Sequence, residues 1–527
     1  MKTSFKVAIT HIGTDMLKFS LACVGVILAW SLTTPIFEFP DEQAHYGSVD
    51  YLLTQGEMPS YGKNDLNLEM LKTQEYLGTF RDGLGNNRYT YHPEYHVEYS
   101  DSLLGKYESD ILNLNNSEYR NNYVGTEAAK YPPLYYRLAS FYTWIVNSSD
   151  LITRVFVARL ASLDLAILMA IVAWKIGELV FYKNNYVKVF VLMVMLQPMY
   201  SFVTAGINSD NLHNLLFMSL IYGCLRLLKT GLSPINLGII SLSIILDIYT
   251  KPQGFIGIPL AITAVFLYAI MHRKWSAILY SLLGILLVLV LGSSQWEKYG
   301  HLLTVANNHG VGFFDYLRYS VGKLVAQNVV WYWGVFKWLG VVLPPIYWQV
   351  ANRAVLLSVV GMLYYGWKVL KHKKIIADPV QILFMIMASV IYALAIFWYD
   401  WQHTKINGYS LGIQARYFFP TMTAHLALML TGLTTFGWSK ISRIWIRNGI
   451  ALLFIWLQIG ALARLITIYY PADNFIELIK QISQYKPFYA KGDWWYFWFV
   501  IYLWSIIYLI RNALVVGKQA VVKRRQK

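Results

Sequence analysis

Pro40-Asp41-Glu42-Gln43-Ala44-His45 places two adjacent carboxylates and an imidazole directly behind an apolar run, Leu17 to Phe37, that is long enough to cross a bilayer. Within hydrocarbon a carboxylate is costly, whereas just past a helix end it is hydrated and free to take a proton from a bound hydroxyl. His45 follows Asp41 by four residues and shares its face if the chain is helical there. An imidazole so placed orients or tunes the carboxylate, or equally is an interfacial ring with no partner. The acidic pair alone fits a base and, as well, the plain start of a hydrated loop.

A second acid, Asp210, stands in Gly206-Ile207-Asn208-Ser209-Asp210-Asn211, a tight turn between two apolar runs. It either meets Asp41 across the bundle or, with Ser209, caps the helix that follows. Lys251 in Thr250-Lys251-Pro252-Gln253 and Arg416 in Gln414-Ala415-Arg416-Tyr417-Phe418-Phe419-Pro420 bring positive charge to the same side. Both run against the positive-inside pattern, and a phosphate headgroup would explain them, with Arg416 able to bind it bidentately. The competing reading pairs Lys251 with Asp247, one helical turn earlier.

The elements that must position these groups follow from composition. The chain has 527 residues, of which 56% are hydrophobic and 14% charged; apolar runs of bilayer length recur from end to end, which makes it an all-α polytopic membrane protein in one domain, 1–527. The net charge of +16 would suggest nucleic acid in a soluble protein. Here the Lys and Arg cluster in short loops, as orientation signals do, so nucleic acid is not expected. Cys23 and Cys224 both lie inside apolar runs, and neither a disulfide framework nor a thiolate metal site is indicated.

The runs predict roughly twelve helices, at 16–37, 153–180, 187–205, 211–229, 234–250, 254–272, 274–293, 353–370, 379–399, 416–436, 447–469 and 493–511. Basic clusters at Lys2 and Lys6, Lys183 and Lys188, Arg226 and Lys229, Arg273 and Lys274, Lys371 to Lys374, Lys440 to Arg447, and Lys523 to Arg525 then fall on one side, with both termini cytoplasmic. Leu134 to Val146 is too short to cross and rich in Tyr. Counting it as a crossing would invert every later loop, so 134–147 is laid along the outer surface as an interfacial helix. The outer side then owns a first loop, 38–133, a second, 294–352, and shorter pieces near 400–415 and 470–492. The first loop carries sixteen of the twenty-nine acidic residues and reads as irregular structure with a few short helices. A basic cytoplasmic tail, 512–527, suits anionic lipid.

Tyr131-Pro132-Pro133-Leu134-Tyr135-Tyr136 closes the first loop, its prolines fixing the entry of the surface helix and its rings the depth. Trp331-Tyr332-Trp333-Gly334 with Trp338 suits headgroup level more than stacking on a sugar or polyprenyl chain. Asp164, deep in the second span, is the best residue for a transport reading.

Taken together, these motifs resemble the GT-C superfamily of integral-membrane glycosyltransferases, most closely a bacterial family of predicted membrane proteins within it. The resemblance runs over most of the chain and rests on order and spacing: Pro40-Asp41-Glu42 with His45, Tyr131 to Tyr136, Arg159-Leu160-Ala161-Ser162, Ser209-Asp210, Lys251-Pro252, Trp333-Gly334, and Gln414 to Pro420. It departs at Gln43, Ala415 and Lys337. It implies an enzyme of the bacterial inner membrane that takes a sugar from a polyprenyl-phosphate carrier and transfers it, with inversion, to a lipid-linked or cell-envelope acceptor on the extracytoplasmic face. Asp41 would be the general base with Glu42 and Asp210 in support, Lys251 and Arg416 would hold the donor phosphate, and His45, Tyr131, Gln414 and Tyr417 would support the site. Members of this fold differ in metal use. Asp41, Glu42 and Asp210 are oxygen ligands that could hold Mg²⁺ or Mn²⁺; metal is left open, with none the preferred expectation. The rival readings are a lipid-linked oligosaccharide flippase, an O-antigen polymerase or ligase, and a non-catalytic scaffold.

Overall fold

The computed structural model describes residues 2–83, 85–300 and 305–514. Lys523, Arg524 and Arg525 of the expected basic tail lie outside the described residues. Apart from two short antiparallel ribbons, Leu66–Asn67 with Tyr123–Gly125 and Val335–Phe336 with Val341–Val342, the described secondary structure is helical.

Each of the twelve apolar segments forms helix. Among the described residues, seven helices are long and apolar enough to cross a membrane: Gly13–Thr33, Leu151–Val180, Pro252–His272, Pro345–Leu370, Pro379–Asn407, Lys440–Tyr469 and Trp494–Ala513. Asn184–Met195 and Pro198–Ala205, bent by 62°, make an eighth if the pair is one span. The other four expected spans are short (Pro234–Ile248, Ser276–Leu291, Met422–Thr435) or, in Asp210–Thr230, interrupted by His213, Asn214, Arg226 and Lys229. The chain is an all-α polytopic membrane protein.

The 62° bend has a local cause. Pro198 lacks an N–H and cannot continue the preceding helix, so it starts a new one at its first position. Gln197 caps that helix by accepting from Tyr200 N, and Ser201 Oγ donates to the freed Met195 carbonyl at 2.7 Å. The second half then delivers Gly206 to Ser209 against the segment that carries Asp41. A Cβ on Gly206 would lie 2.4 Å from the Phe39 ring, so glycine is what lets the two segments touch. Close helix approach recurs at Gly361 and Gly432, where an added Cβ would meet the facing backbone at 2.1 Å in each direction.

Helix ends depart from the hydropathy limits where polar or aromatic residues extend a helix beyond its apolar stretch. Pro345–Leu370 begins eight residues early, with proline at its first turn, and takes that much from the expected 294–352 loop. Pro379–Asn407 runs on to a left-handed Gly408, which shortens the expected 400–415 loop. Leu134–Ile145 is one helix; the rings of Tyr135 and Tyr136, expected to set its depth at the interface, are instead buried against its neighbours, while Phe141, Trp144 and Ile145 are exposed on the other face.

The first loop packs onto the bundle through buried charge. Arg154 bonds Asp50 at 3.0 Å and also Glu69, and Asn67 Nδ2 donates to Asp50 at 2.7 Å, tying helices Glu42–Gln55 and Leu68–Leu77 to Leu151–Val180. The loop is therefore part of the fold that holds the site.

Candidate active site

Asp41 occupies the cap position of helix Glu42–Gln55 in a left-handed conformation, φ 59°, and its side chain makes no capping bond. The carboxylate is therefore free for other partners. Oδ2 accepts from Arg416 Nη2 at 2.6 Å and Oδ1 from Arg81 Nη1 at 3.0 Å. Desolvation in the cleft pushes the Asp41 carboxyl up, and the Arg416 and Arg81 guanidiniums more than reverse it, holding it well below the usual carboxylate range. The side chain remains 35% exposed, open to an incoming group.

Strain converges here. Phe37, Asp41 and the run Lys337 to Leu339 are all left-handed non-glycine residues. Trp338 from that run donates through Nε1 to the Phe37 carbonyl at 3.4 Å, and Arg81 lies 6.0 Å from its ring. Such conformations cost on the order of 1–3 kcal/mol each and persist where the surroundings over-determine them.

Glu42, next in sequence, points into different company because Asp41 is left-handed at the cap while Glu42 opens the helix itself. It is fully buried and takes Arg159 bidentately, Nε to Oε1 at 2.8 Å and Nη2 to Oε2 at 2.7 Å, with Phe37 N and Ile207 N completing its partners. This arrangement pins the Asp41 segment to Leu151–Val180. Arg159→Met would leave an uncompensated buried carboxylate and is expected to cost about 3–5 kcal/mol. Thermal unfolding of the purified protein in detergent checks it, with the double variant E42Q/R159M expected to recover part of the loss.

His45 reaches Asp41 only through the backbone, His45 N to Asp41 O at 3.0 Å. Its ring bonds Tyr136 Oη at 2.9 Å and stacks on Tyr131 and Tyr136. Burial holds the imidazole down at about 3, so it is neutral near pH 7.

Asp210 pairs with Lys251, whose ammonium also lies 4.7 Å from the centre of the Tyr131 ring. The alternative partner, Asp247, is taken by His213 Nδ1 at 2.6 Å, and His213 Nε2 meets Tyr392 Oη at 3.0 Å. Ser209 does not cap the next helix by its side chain; Asn208 Oδ1 accepts from Asp210 N at 2.8 Å instead. Asn208 Nδ2 also donates to the Pro40 carbonyl at 3.2 Å, so one side chain joins the two acidic turns. Asp41, Asp210, Lys251, Arg416, His45 and Tyr131 are thus electrostatic neighbours in one cluster.

Arg416 stands at the start of the 3-10 helix Ala415–Thr421, which Gln414 opens by accepting Tyr417 N at 3.0 Å. Tyr417 lies beside the guanidinium, 5.7 Å from ring centre to Cζ. Besides Nη2 on Asp41, Arg416 has buried Nε and Nη1 atoms with no hydrogen-bond partner among the described residues. An unmet buried donor costs on the order of 1–3 kcal/mol, more when charged.

Arg81 and Glu127 were not singled out by the sequence. Their signal was a cation in a loop dense with acids, but the partners lie far apart in the chain. Trp333 is buried and donates to Asn352 Oδ1 at 2.7 Å. Asp164 is exposed on the flank of its helix, bonded to Tyr142, and lines no central path.

Residues 24–424 match a family described as predicted membrane protein, DUF2142. The chain belongs to this family. No curated protein matches this DUF2142 chain. Its fold is similar to that of ArnT from Cupriavidus metallidurans in the apo state, with a TM-score of 0.41 and 14% identity over 96% of this chain and 78% of that one. For ArnT bound to undecaprenyl phosphate the values are 0.40 and 15% over 95% and 77%. For the archaeal oligosaccharyltransferase AglB from Archaeoglobus fulgidus, in complex with an inhibitory peptide and a dolichol-phosphate, they are 0.41 and 12% over 85% and 56%.

The carboxylates that could hold a divalent ion are each engaged by a cation of the DUF2142 chain itself: Asp41 by Arg81 and Arg416, Glu42 by Arg159, and Asp210 by Lys251. Among the described residues no group of three or more His, Cys, Asp or Glu is arranged to hold a metal. With each carboxylate so paired, this donor set does not fit Mg²⁺ or Mn²⁺.

Proposed function

We propose that this protein is a GT-C-type glycosyltransferase of the bacterial inner membrane, transferring a sugar from a polyprenyl-phosphate donor to a lipid-linked or cell-envelope acceptor at the extracytoplasmic face. The observation that carries the reading is Arg416: a buried guanidinium whose Nε and Nη1 have no partner among the described residues, set against Asp41, a carboxylate that Arg81 also holds. A phosphate monoester or diester is the natural acceptor for such donors.

In this reading the donor phosphate lies on Arg416, with Lys251 close by. The acceptor hydroxyl attacks the anomeric carbon from the opposite face while Asp41 takes its proton. The bond from the anomeric carbon to the phosphate oxygen breaks as the new glycosidic bond forms, the configuration inverts, and the polyprenyl phosphate leaves with the electron pair. The leaving group is already a stabilised anion, so it needs positive charge rather than a proton donor. Both termini lie on the cytoplasmic side, and Leu134–Ile145 lies along the outer surface with its exposed Phe141 and Trp144 in the interface.

The test is purified protein in nanodiscs with a panel of radiolabelled polyprenyl-phosphate sugars, following release, hydrolysis and transfer of the sugar. Consumption of one donor is expected, and pre-treatment with a metal chelator is expected to leave the rate unchanged because Arg81, Arg416 and Lys251 already supply the positive charge. A folded protein that neither binds nor consumes any donor in the panel would sink the proposal.

A further inference from the structure

The strap that closes the first loop carries a carboxylate that the proposed reaction leaves unused. Glu127 Oε1 accepts from Arg81 Nε at 2.7 Å, while Nη1 of the same guanidinium reaches Asp41 Oδ1 at 3.0 Å. One cation therefore bridges two carboxylates.

The strap is fixed independently of that bridge. Asp65 Oδ1 accepts from the backbone N–H of Glu127 at 2.7 Å and of Ala128 at 2.9 Å, and Lys130 Nζ holds Asp65 Oδ2 at 2.7 Å. Ala129 N donates to the Ala44 carbonyl at 2.8 Å, and Ser48 Oγ to the Ala129 carbonyl at 2.5 Å, which seats the strap on the helix that Asp41 begins. Glu127 is thus held in register with Asp41, its side chain 5% exposed. The charged groups around it are Arg81 in contact, Asp41 beyond Arg81, and Asp65, which is paired with Lys130.

We propose that Glu127 is a positioning residue for Asp41, acting by competing for Arg81 and so setting the basicity of the catalytic carboxylate. The inference rests on the reading of Asp41 as the base. With Glu127 neutral, the charge of Arg81 bears on Asp41 alone, and a carboxylate between two uncompensated guanidiniums is a weak base. With Glu127 ionised, Arg81 is neutralised from its other side, Arg416 is the remaining cation, and the donor phosphate takes a share of that one.

Burial pushes the Glu127 carboxyl up to about 7, against the opposing pull of Arg81. Loss of its proton as pH rises through about 7 therefore makes Asp41 the better base, and turnover rises across that range. Stability runs the other way. The folded state holds this proton more tightly than the unfolded chain, so between about 4.5 and 7 stability falls as pH rises and then levels.

Wild type, Glu127→Gln and Glu127→Asp, each full-length in nanodiscs, provide the test. Without substrate, the unfolding midpoint of wild type is expected to fall relative to that of Glu127→Gln between pH 4.5 and 7; parallel curves would show that Glu127 does not titrate there and overturn the inference. With a consumed donor, Glu127→Gln is expected to match wild type below about pH 6 and to lag by roughly tenfold above pH 7, with KM for the donor unchanged and the rising limb restored in Glu127→Asp. A defect equal at all pH values, or an unchanged limb, overturns the inference while leaving the glycosyltransferase reading standing. No donor turnover in wild type removes that reading and this inference with it.

Discussion

Asp41→Asn is expected to lower donor turnover by at least about 100-fold while the donor still binds. Asparagine is the informative replacement because it tolerates the left-handed backbone that position 41 adopts, φ 59°, whereas alanine would add strain to the lost charge. Its amide oxygen can still accept from one of the two, Arg81 or Arg416, while its NH2 faces the other. What disappears is the proton acceptor and one negative charge. The cleft around Arg81, Arg416 and Lys251 is balanced by Asp41, Glu127 and Asp210; loss of one anion leaves it net positive. Binding of the bare polyprenyl phosphate is therefore expected to tighten in the variant while single-turnover transfer collapses. Quenched-flow sugar release together with equilibrium binding of the labelled lipid phosphate separates the two effects. A variant that transfers within tenfold of wild type would rule Asp41 out as the base.

The helices were legible because bilayer-length hydropathy is a signal spread over about twenty residues, which local accidents do not erase. Where one residue decides, the signal fails. Pro198 turns the third apolar run into two helices at 62°, and nothing in mean hydropathy marks that point. Helix ends moved for a similar reason: the Tyr and Trp residues after Pro345 and the polar stretch up to Asn407 lower the apolar score without breaking the helix.

The cleft was legible as a set of unusual residues and not as a set of partners. Asp41 and Arg416 are 375 residues apart, and Asp41 and Arg81 are 40 apart; no local pattern states that they meet. Asp210 and Lys251 stand out for separate reasons, an acid in a turn and a cation on the disfavoured side, and it takes the fold to show that each neutralises the other. Asp41 and Glu42 show the opposite failure. Adjacent in sequence and alike in chemistry, they suggest one role, but the helix that starts between them sends Glu42 into the core against Arg159 and leaves Asp41 at the cleft.

Arg416→Gln separates phosphate capture from proton transfer. The substitution removes the buried donors Nε and Nη1 and one of the two cations on Asp41. Charge-assisted hydrogen bonds contribute about 1.5–3 kcal/mol each, so affinity for the polyprenyl phosphate is expected to fall by roughly 10- to 100-fold or more. Arg416→Lys is expected to recover only part of this, because an ammonium on a flexible stem cannot present a planar pair of N–H groups. Lys251→Gln is expected to weaken binding less than Arg416→Gln, since Lys251 is committed to Asp210 while Arg416 has atoms to spare. Meanwhile Asp41, relieved of its nearer guanidinium, becomes a stronger base. The rate from the bound donor is therefore expected to fall much less than the affinity, the inverse of Asp41→Asn. Equal losses in affinity for Arg416→Gln and Lys251→Gln would mean that the unpartnered atoms of Arg416 do not mark the phosphate, and the donor would then have to be sought elsewhere in the cleft.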